Sequence, residues 1–333
     1  MGAARLILSY FLLTSFAIAS LSAPQARAEK IRTAIPQATL NYLSAYVAEG
    51  KGFFKEEGIE NETIVIGGPL AIAALVSGDV DYSGAGGSGM RAAIKGAPLK
   101  VIMFQTEKMT WYLVAHPSIT KVSDLKGKKI AVGTVGDSQD RFTTQFIERG
   151  GLSAKDVTRI TMGPNAGARN LAIKSGAIQA AVVDPGGAVV AEREGLRVLA
   201  FLGDLFPFPF QGFATTEKKI AENPKQIQRW LKAMVRALMF LRERPEEAAD
   251  IGMKKLQLGN ISKPMVLDGI RRYVRALPDG VPGLPSPEGI KNALEYEVRI
   301  PMQIEEPFSA ERVMDFRFVD KVKREMELKR SSK

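Results

Sequence analysis

An α/β fold of two similar lobes facing each other across a cleft is predicted by one stretch of the chain and its echo further along. The first stretch, Glu62 to Gly96, reads strand, helix, strand, glycine loop, helix. Thr63 to Ile66 is short, apolar and β-branched, as a buried parallel strand should be. Gly67 and Gly68 end it, Pro69 opens a helix, and Gly78 can take the left-handed conformation that stops one. Val80 to Tyr82 begins the next strand, and Gly84 to Gly89 leads into a second helix at about Met90. Such a loop brings backbone N–H groups to a helix N-terminus, a cradle for an anion or polar ligand. The echo, Arg159 to Gly195, repeats the same order, with Ser175 to Ala180 matching Ser77 to Tyr82. Two α/β units with one order of elements imply two lobes, and ligands of open α/β sheets bind beyond the carboxyl ends of the strands, where both glycine loops fall.

At the start of the chain, Arg5, the apolar run Leu6 to Ser20 and the small residues of Ala26-Arg27-Ala28 have the layout of a cleaved secretion signal, residues 1–28. The run is shorter than the roughly 20 residues that span a bilayer. The 333-residue chain contains no cysteine, which excludes disulfides, thiolate metal sites and a lipidated cysteine tether. The expectation is therefore an exported protein free in a periplasm. Its formal net charge of +10 falls to +8 once Arg5 and Arg27 are removed. Nucleic acid is a poor partner for an exported chain, and the local excess at Lys321 to Lys333 reads as a solvated helix end.

Beyond the signal, Ile31 to Ile35 is a strand, Pro36 to Asn41 a loop, and Tyr42 to Glu57 a helix weakened by Gly50 and Gly52. Here Tyr46-Val47-Ala48 and Lys51-Gly52-Phe53-Phe54-Lys55-Glu56-Glu57-Gly58-Ile59 resemble a phrase that follows the first strand in solute-binding proteins of the nitrate, sulfonate and taurine import systems. Gly78 to Tyr82, Lys95 to Val101, Ser123 to Ala131, Asp184-Pro185 and Glu222-Asn223-Pro224 continue the resemblance in order, over nearly the whole chain after the signal. It implies a periplasmic-binding-protein type II fold with two crossover hinge strands, one lobe from residues 29–108 and 213–333, the other from 109–212. The family usually has an aspartate where this chain has Gln179.

Within that frame, Leu99 to Phe104 and Trp111 to Ala115 are strands on either side of the first crossover, and Lys129 to Val132 leads to the loop Gly133 to Ser138. Asp137 or Ser138 fits the N-cap of the helix that follows as well as it fits a ligand contact. Arg159 to Met162 is a strand, and Phe206 to Phe210, at the return crossover, fits core packing by default or an aromatic wall of the cleft. From Phe213 the pattern turns helical, with Ile220 to Arg242 and Glu246 to Leu256 carrying Pro224 and Pro245 near their starts; Pro278 to Pro287 is a loop.

The resemblance implies a binding protein whose lobes close on a small solute and deliver it to the membrane permease of an ABC importer. Ligand contacts are expected from Gln37, Asn41, Gly68, Ser88, Thr134, Gly136 and Asn165, with Asp184 structural and no cofactor, metal or catalytic residue. The cargo expected is a small organic anion or related solute, a sulfonate, carboxylate or pyrimidine, and the protein is expected to be a monomer. Arg141 and Arg169, each in a first turn after a cleft loop, could neutralise an anion or be ordinary helix charges. The competing signal is Gly84-Ala85-Gly86-Gly87-Ser88-Gly89, which satisfies GxGxxG with Glu107 downstream. That fingerprint belongs after a first strand, whereas here it follows the second of a unit. Enzymes of the same fold, dehydratases and pyrimidine-forming enzymes of thiamine synthesis, are the alternative; the latter carry a cysteine-rich signature this chain cannot have. The single histidine, His116, stands beside Pro117 at a strand end, where a surface or hinge role suits it better than a general base.

Overall fold

The computed structural model describes residues 28–133, 135–136, 138–163, 165–256 and 261–331, without the side chain of Ser138. Residues 1–27 of the segment read as a secretion signal lie outside these residues, as do Thr134 and Asp137. In chain order, β1 (Glu29–Ile35) passes through a 3-10 turn at Leu40–Tyr42 into α1 (Leu43–Gly50) and α2 (Phe53–Glu56). Then come β2 (Ile59–Val65), α3 (Gly68–Ser77), β3 (Tyr82–Ser83), α4 (Gly86–Ile94) and β4 (Leu99–Thr106). The middle of the chain is β5 (Tyr112–Ala115), β6 (Lys129–Val132), α5 (Ser138–Arg149), β7 (Thr158–Thr161), α6 (Ala166–Lys174), β8 (Ala180–Val183), α7 (Pro185–Arg193) and β9 (Arg197–Phe201). β10 (Phe210–Thr216) precedes the helical part, α8 (Glu217–Glu222), α9 (Pro224–Glu243), α10 (Pro245–Lys255), α11 (Lys263–Val274), α12 (Pro287–Ala293), a π-helical turn at Leu294–Arg299, α13 (Ile300–Met302) and α14 (Arg317–Ser331).

Two five-stranded sheets result, ordered β2-β1-β3-β10-β4 and β7-β6-β8-β5-β9. The orders are the same once the strands are matched. In the first sheet β1 pairs with β2 and β3 in parallel, and β10 runs antiparallel between β3 and β4. In the second, β6 pairs with β7 and β8 in parallel, and β5 runs antiparallel between β8 and β9. The internal repeat read in the sequence is thus a repeat of topology. Gly78 and Gly176 both take positive φ, +86° and +77°, at the turn into the third parallel strand of their sheets, where a side chain is disfavoured. The antiparallel strand of each sheet is the one that enters from the other: β5 just after the chain leaves β4, β10 just after it leaves β9. The two connections lie side by side, with Phe208 N–H on the Glu107 carbonyl (2.9 Å), Leu202 N–H on the Trp111 carbonyl (2.9 Å) and Gln211 Nε2 on Thr110 Oγ1 (3.0 Å). This two-sheet, two-crossover α/β architecture is the fold that the sequence predicts.

Both faces of each sheet carry a buried apolar cluster, as parallel strands require. The largest rests on α9, whose Ile227, Trp230, Leu231, Met234, Leu238 and Leu241 follow a helical period and are buried. Trp230 stacks on Tyr82 of β3 with ring centroids 4.0 Å apart, and its Nε1 donates to Thr33 Oγ1 of β1 at 3.1 Å. Local boundaries shift where local chemistry intervenes. Gly52 at φ +74° splits the helix expected over 42–57, and α4 starts at Gly86 rather than near Met90. The helix expected over 220–242 is two, broken at Asn223, because Pro224 lacks the N–H needed to continue a helix and starts a new one.

Candidate functional site

The loops at the carboxyl ends of β1, β3, β6 and β7 converge on a cavity of about 420 Å³ between the two sheets. Its lining includes Pro36 and Tyr42 after β1, Gly84 to Ser88 and Arg91 around the start of α4, and Gly133, Gln139 and Gly163 from the second sheet. Residues of both crossovers, Trp111 and Phe208 to Gly212, form another side, and Glu297 enters from the C-terminal helical part. The volume suits a small-molecule ligand. Five aromatic residues, Tyr42, Phe104, Trp111, Phe208 and Phe210, stand in its wall. Trp111 and Phe210 meet edge to face at 4.9 Å, and Phe208 is fully buried against Phe142 at 4.6 Å. The Phe206 to Phe210 run thus packs the core and walls the cavity at once.

The expected contacts distribute unevenly. Gly68 and Ser88 line the cavity, while Gln37, Asn41 and Gly136 do not. Gln37 is exposed. The Gly136 N–H donates to Asp140 Oδ2 at 2.7 Å, so it has a protein acceptor already. Asn165 caps α6, accepting from Ala168 N–H at 2.9 Å, and lines a second cavity near Thr39, Asn170 and Asp184. Thr134 lies outside the described residues. Asp184 caps α7 by accepting from Gly187 N–H at 2.7 Å, and burial pushes its carboxyl above the ordinary aspartate value, opposed by that bond and by Arg169. Gln179 closes the start of β6, accepting from Lys129 N–H at 3.2 Å; the neutral amide serves there without a charge.

The glycine loop has a packing explanation. A Cβ on Gly84 would stand 2.8 Å from the Tyr42 ring, one on Gly86 2.7 Å from the Gly212 backbone, and one on Gly87 2.8 Å from Glu297 Oε2. Three glycines are therefore required by the approach of β10, Tyr42 and Glu297, and the dinucleotide fingerprint is a coincidence of spacing. Of the arginines, Arg169 lines the cavity but is only 1% exposed, its guanidinium spent on the carbonyls of Val182 and Gly163 and on Gln139 Oε1 (3.2 Å). Arg141 donates to the carbonyl of Tyr296 at 3.0 Å, tying α5 to the π-helical turn. His116 Nδ1 meets Ser118 Oγ at 2.8 Å in an exposed turn. Among the described residues no three His, Asp or Glu side chains converge as a metal site, and no helix is long and apolar enough to cross a membrane.

Tyr42, Arg91, Trp111, Gln139 and Glu297 line the cavity and were not singled out in the sequence. Trp111 alone had a signal, one of two tryptophans, beside the first crossover. Glu297 had none, because a residue far along a helical tail reaches the cleft only through tertiary packing.

Comparison with known proteins agrees with this architecture. The family model described as NMT1/THI5 like matches residues 39–248. A protein of Bacillus subtilis named as an aliphatic sulfonates-binding protein is 30% identical over 262 residues, 75% of this chain and 76% of its own length. The periplasmic aliphatic sulphonate binding protein SsuA of Escherichia coli superposes with a TM-score of 0.68 at 20% identity, over 86% of this chain and 92% of that one. The desulfurization enzyme DSZB superposes with a TM-score of 0.63 at 14% identity, over 90% of this chain and 99% of that one. At such identities the likeness is one of fold, and the fold serves an enzyme as well as binding proteins.

Proposed function

The chain belongs to the NMT1/THI5-like family, and from that premise we propose that it is a periplasmic solute-binding protein of an ATP-driven importer rather than an enzyme. The observation that carries this reading is the cavity itself. One space of about 420 Å³ is lined jointly by loops of both sheets and by both crossovers, so a ligand there touches both halves and its binding favours their closed arrangement. Residues 29–108 and 213–333 act as one lobe and 109–212 as the other, hinged at the crossovers, and the closed form is what a membrane permease recognises. The cargo is a small organic solute, held by the aromatic residues of the cavity together with Gly68 and Ser88. The cleaved segment 1–28 directs the protein to the periplasm, where it works as a monomer. The relative named for aliphatic sulfonates supports an organic cargo. None of the residues lining the cavity is a histidine or cysteine, and the charged ones are held in ion pairs or by carbonyls, an arrangement suited to holding a ligand rather than transforming it.

The test is a thermal-shift screen of residues 29–333 against a mixed library of sulfonates, carboxylates, nitrate, pyrimidines, uncharged aromatic amides and NAD. A ligand that binds the native state alone raises the midpoint by mass action. Binding of an unmodified small solute, weakened by Ser88→Ala, supports the reading. Binding of NAD alone, or turnover of a bound solute, overturns it.

A further inference from the structure

The charged lining of the cavity is not laid out to receive a free anion. Arg91, on α4, places Nη1 2.8 Å from Glu297 Oε2 and 2.9 Å from the Glu297 carbonyl, and its Nη2 lies 3.4 Å from Ser88 Oγ. Glu297 is only 8% exposed, yet its carboxylate borders the cavity. Gly87 makes room for it, since a Cβ there would sit 2.8 Å from Oε2. The residue is delivered by the π-helical turn Leu294–Arg299, a rare geometry that re-aims side chains and recurs at functional sites. The same turn is anchored on both sides of the cleft. Tyr296 packs on Phe142 and Phe206 at 5.7 and 5.4 Å, and Glu297 pairs with Arg91 on α4. The second cavity-lining guanidinium, Arg169, is held by backbone carbonyls. An anion bound at Arg91 would therefore share the guanidinium with the Glu297 carboxylate, and the two like charges would repel across the cavity.

We propose that Glu297 is the specificity-determining residue of the cleft: it accepts a hydrogen bond from an aromatic solute that is uncharged or cationic at that end, and it rejects free sulfonates and carboxylates. The proposal deepens the binding reading above and rests on it. The ring of the solute lies among Trp111, Phe104 and Phe210, and its donor edge meets the carboxylate that Arg91 holds in place.

The experiment is a titration of the full chain with benzamide, benzamidine, benzoate and benzenesulfonate, followed by tryptophan fluorescence and thermal shift, on the wild type and on Glu297→Gln. In the wild type benzamide and benzamidine are expected to bind about tenfold or more tighter than benzoate and benzenesulfonate, the scale of one hydrogen bond to a buried charge. In Glu297→Gln the advantage of benzamide and benzamidine over the two anions is lost, and benzoate gains. Benzoate or benzenesulfonate binding as tightly as benzamide to the wild type overturns the proposal without any variant, as does failure of all four probes to bind. A preference unchanged in a folded Glu297→Gln also overturns it. If the mixed library yields only anionic ligands, the binding role stands and this inference fails; if the library yields none, the binding role fails with it.

Discussion

Replacing Gly86 by alanine tests the geometry on which the cavity depends. The added Cβ would lie 2.7 Å from both the Cα and the carbonyl oxygen of Gly212 on β10. Ordinary contact begins near 3.4 Å, so α4 and β10 must separate by about 0.7 Å. Neither element has slack: Gly212 is itself closed in by the Phe104 ring, whose Cε1 lies 2.7 Å from the place of a Cβ there, and Met90 and Ala93 of α4 are buried. Overpacking against backbone of this kind costs about 2–3 kcal/mol. Alanine's better helix propensity offsets at most about 1 kcal/mol. The expected net loss is about 1–2 kcal/mol, a fall in Tm of roughly 1.5–3 °C for a chain of this size. Gly167→Ala is the matched control. It lies in the first turn of α6, where a Cβ finds only Asn165 Oδ1 at 3.4 Å, and it should stabilise by about 0.5 kcal/mol. Thermal and urea unfolding of the ligand-free chain measure both. An unchanged or raised midpoint for Gly86→Ala would falsify the packing argument, and if ligand binding were abolished at the same time, the glycine would be kept for the ligand instead.

Trp230→Ala removes a fully buried indole stacked on Tyr82 and should cost about 3–5 kcal/mol, whereas Trp230→Phe loses chiefly the bond to Thr33 and should cost less; urea unfolding curves of equal slope would compare them. Asp184→Ala loses the α7 cap, about 1 kcal/mol, while Asp184→Asn keeps an acceptor for Gly187 N–H. The folded chain holds the Asp184 proton more tightly than the unfolded chain. Its contribution to stability is therefore fully present below the ordinary aspartate pKa and is lost as pH rises through the raised folded value. Asp184→Asn should remove that decline, seen as a flatter midpoint against pH from the acid side to neutrality; a profile identical to wild type sinks the assignment. Asp124 and Asp156 have the opposite sign. Backbone N–H bonds from Thr120 and Ser153 hold their carboxyls below the usual range, so their stabilisation is present above the ordinary carboxylate pKa and is lost as pH falls through the depressed folded values. Asp124→Asn with Asp156→Asn should lower stability at neutral pH and blunt this acid-side loss, measured as Tm from pH 7 to 3.

Much of the fold was legible because its signals are local. A β-branched run, a proline at the first helical position and a glycine forced to positive φ act within a few residues of themselves, and the order strand, helix, positive-φ glycine, strand occurs twice, around Gly78 and Gly176. The resemblance carried by Lys51 to Ile59 and Ser123 to Ala131 named the family on the same footing. The site was legible only in outline. Gly68 and Ser88 could be placed because they follow strands whose carboxyl ends must face the cleft. Asn165 and Gly136 stood in equivalent loops, yet their polar groups meet a helix turn and Asp140. Their partners stand within four residues of them, yet which of several polar groups in a loop turns to its own helix and which turns inward depends on contacts of a few tenths of an ångström that only the packed fold sets. The sequence by itself therefore determined two repeated α/β units, the two crossovers and a cleft between them. Only the tertiary structure decided what lines that cleft: Gly86 fitted to Gly212, Arg91 committed to Glu297, and an aromatic run packing the core on one side and the cavity on the other. The partners in these contacts stand about a hundred residues or more apart in the chain, and their meeting is fixed by the whole of the packing rather than by any part of it.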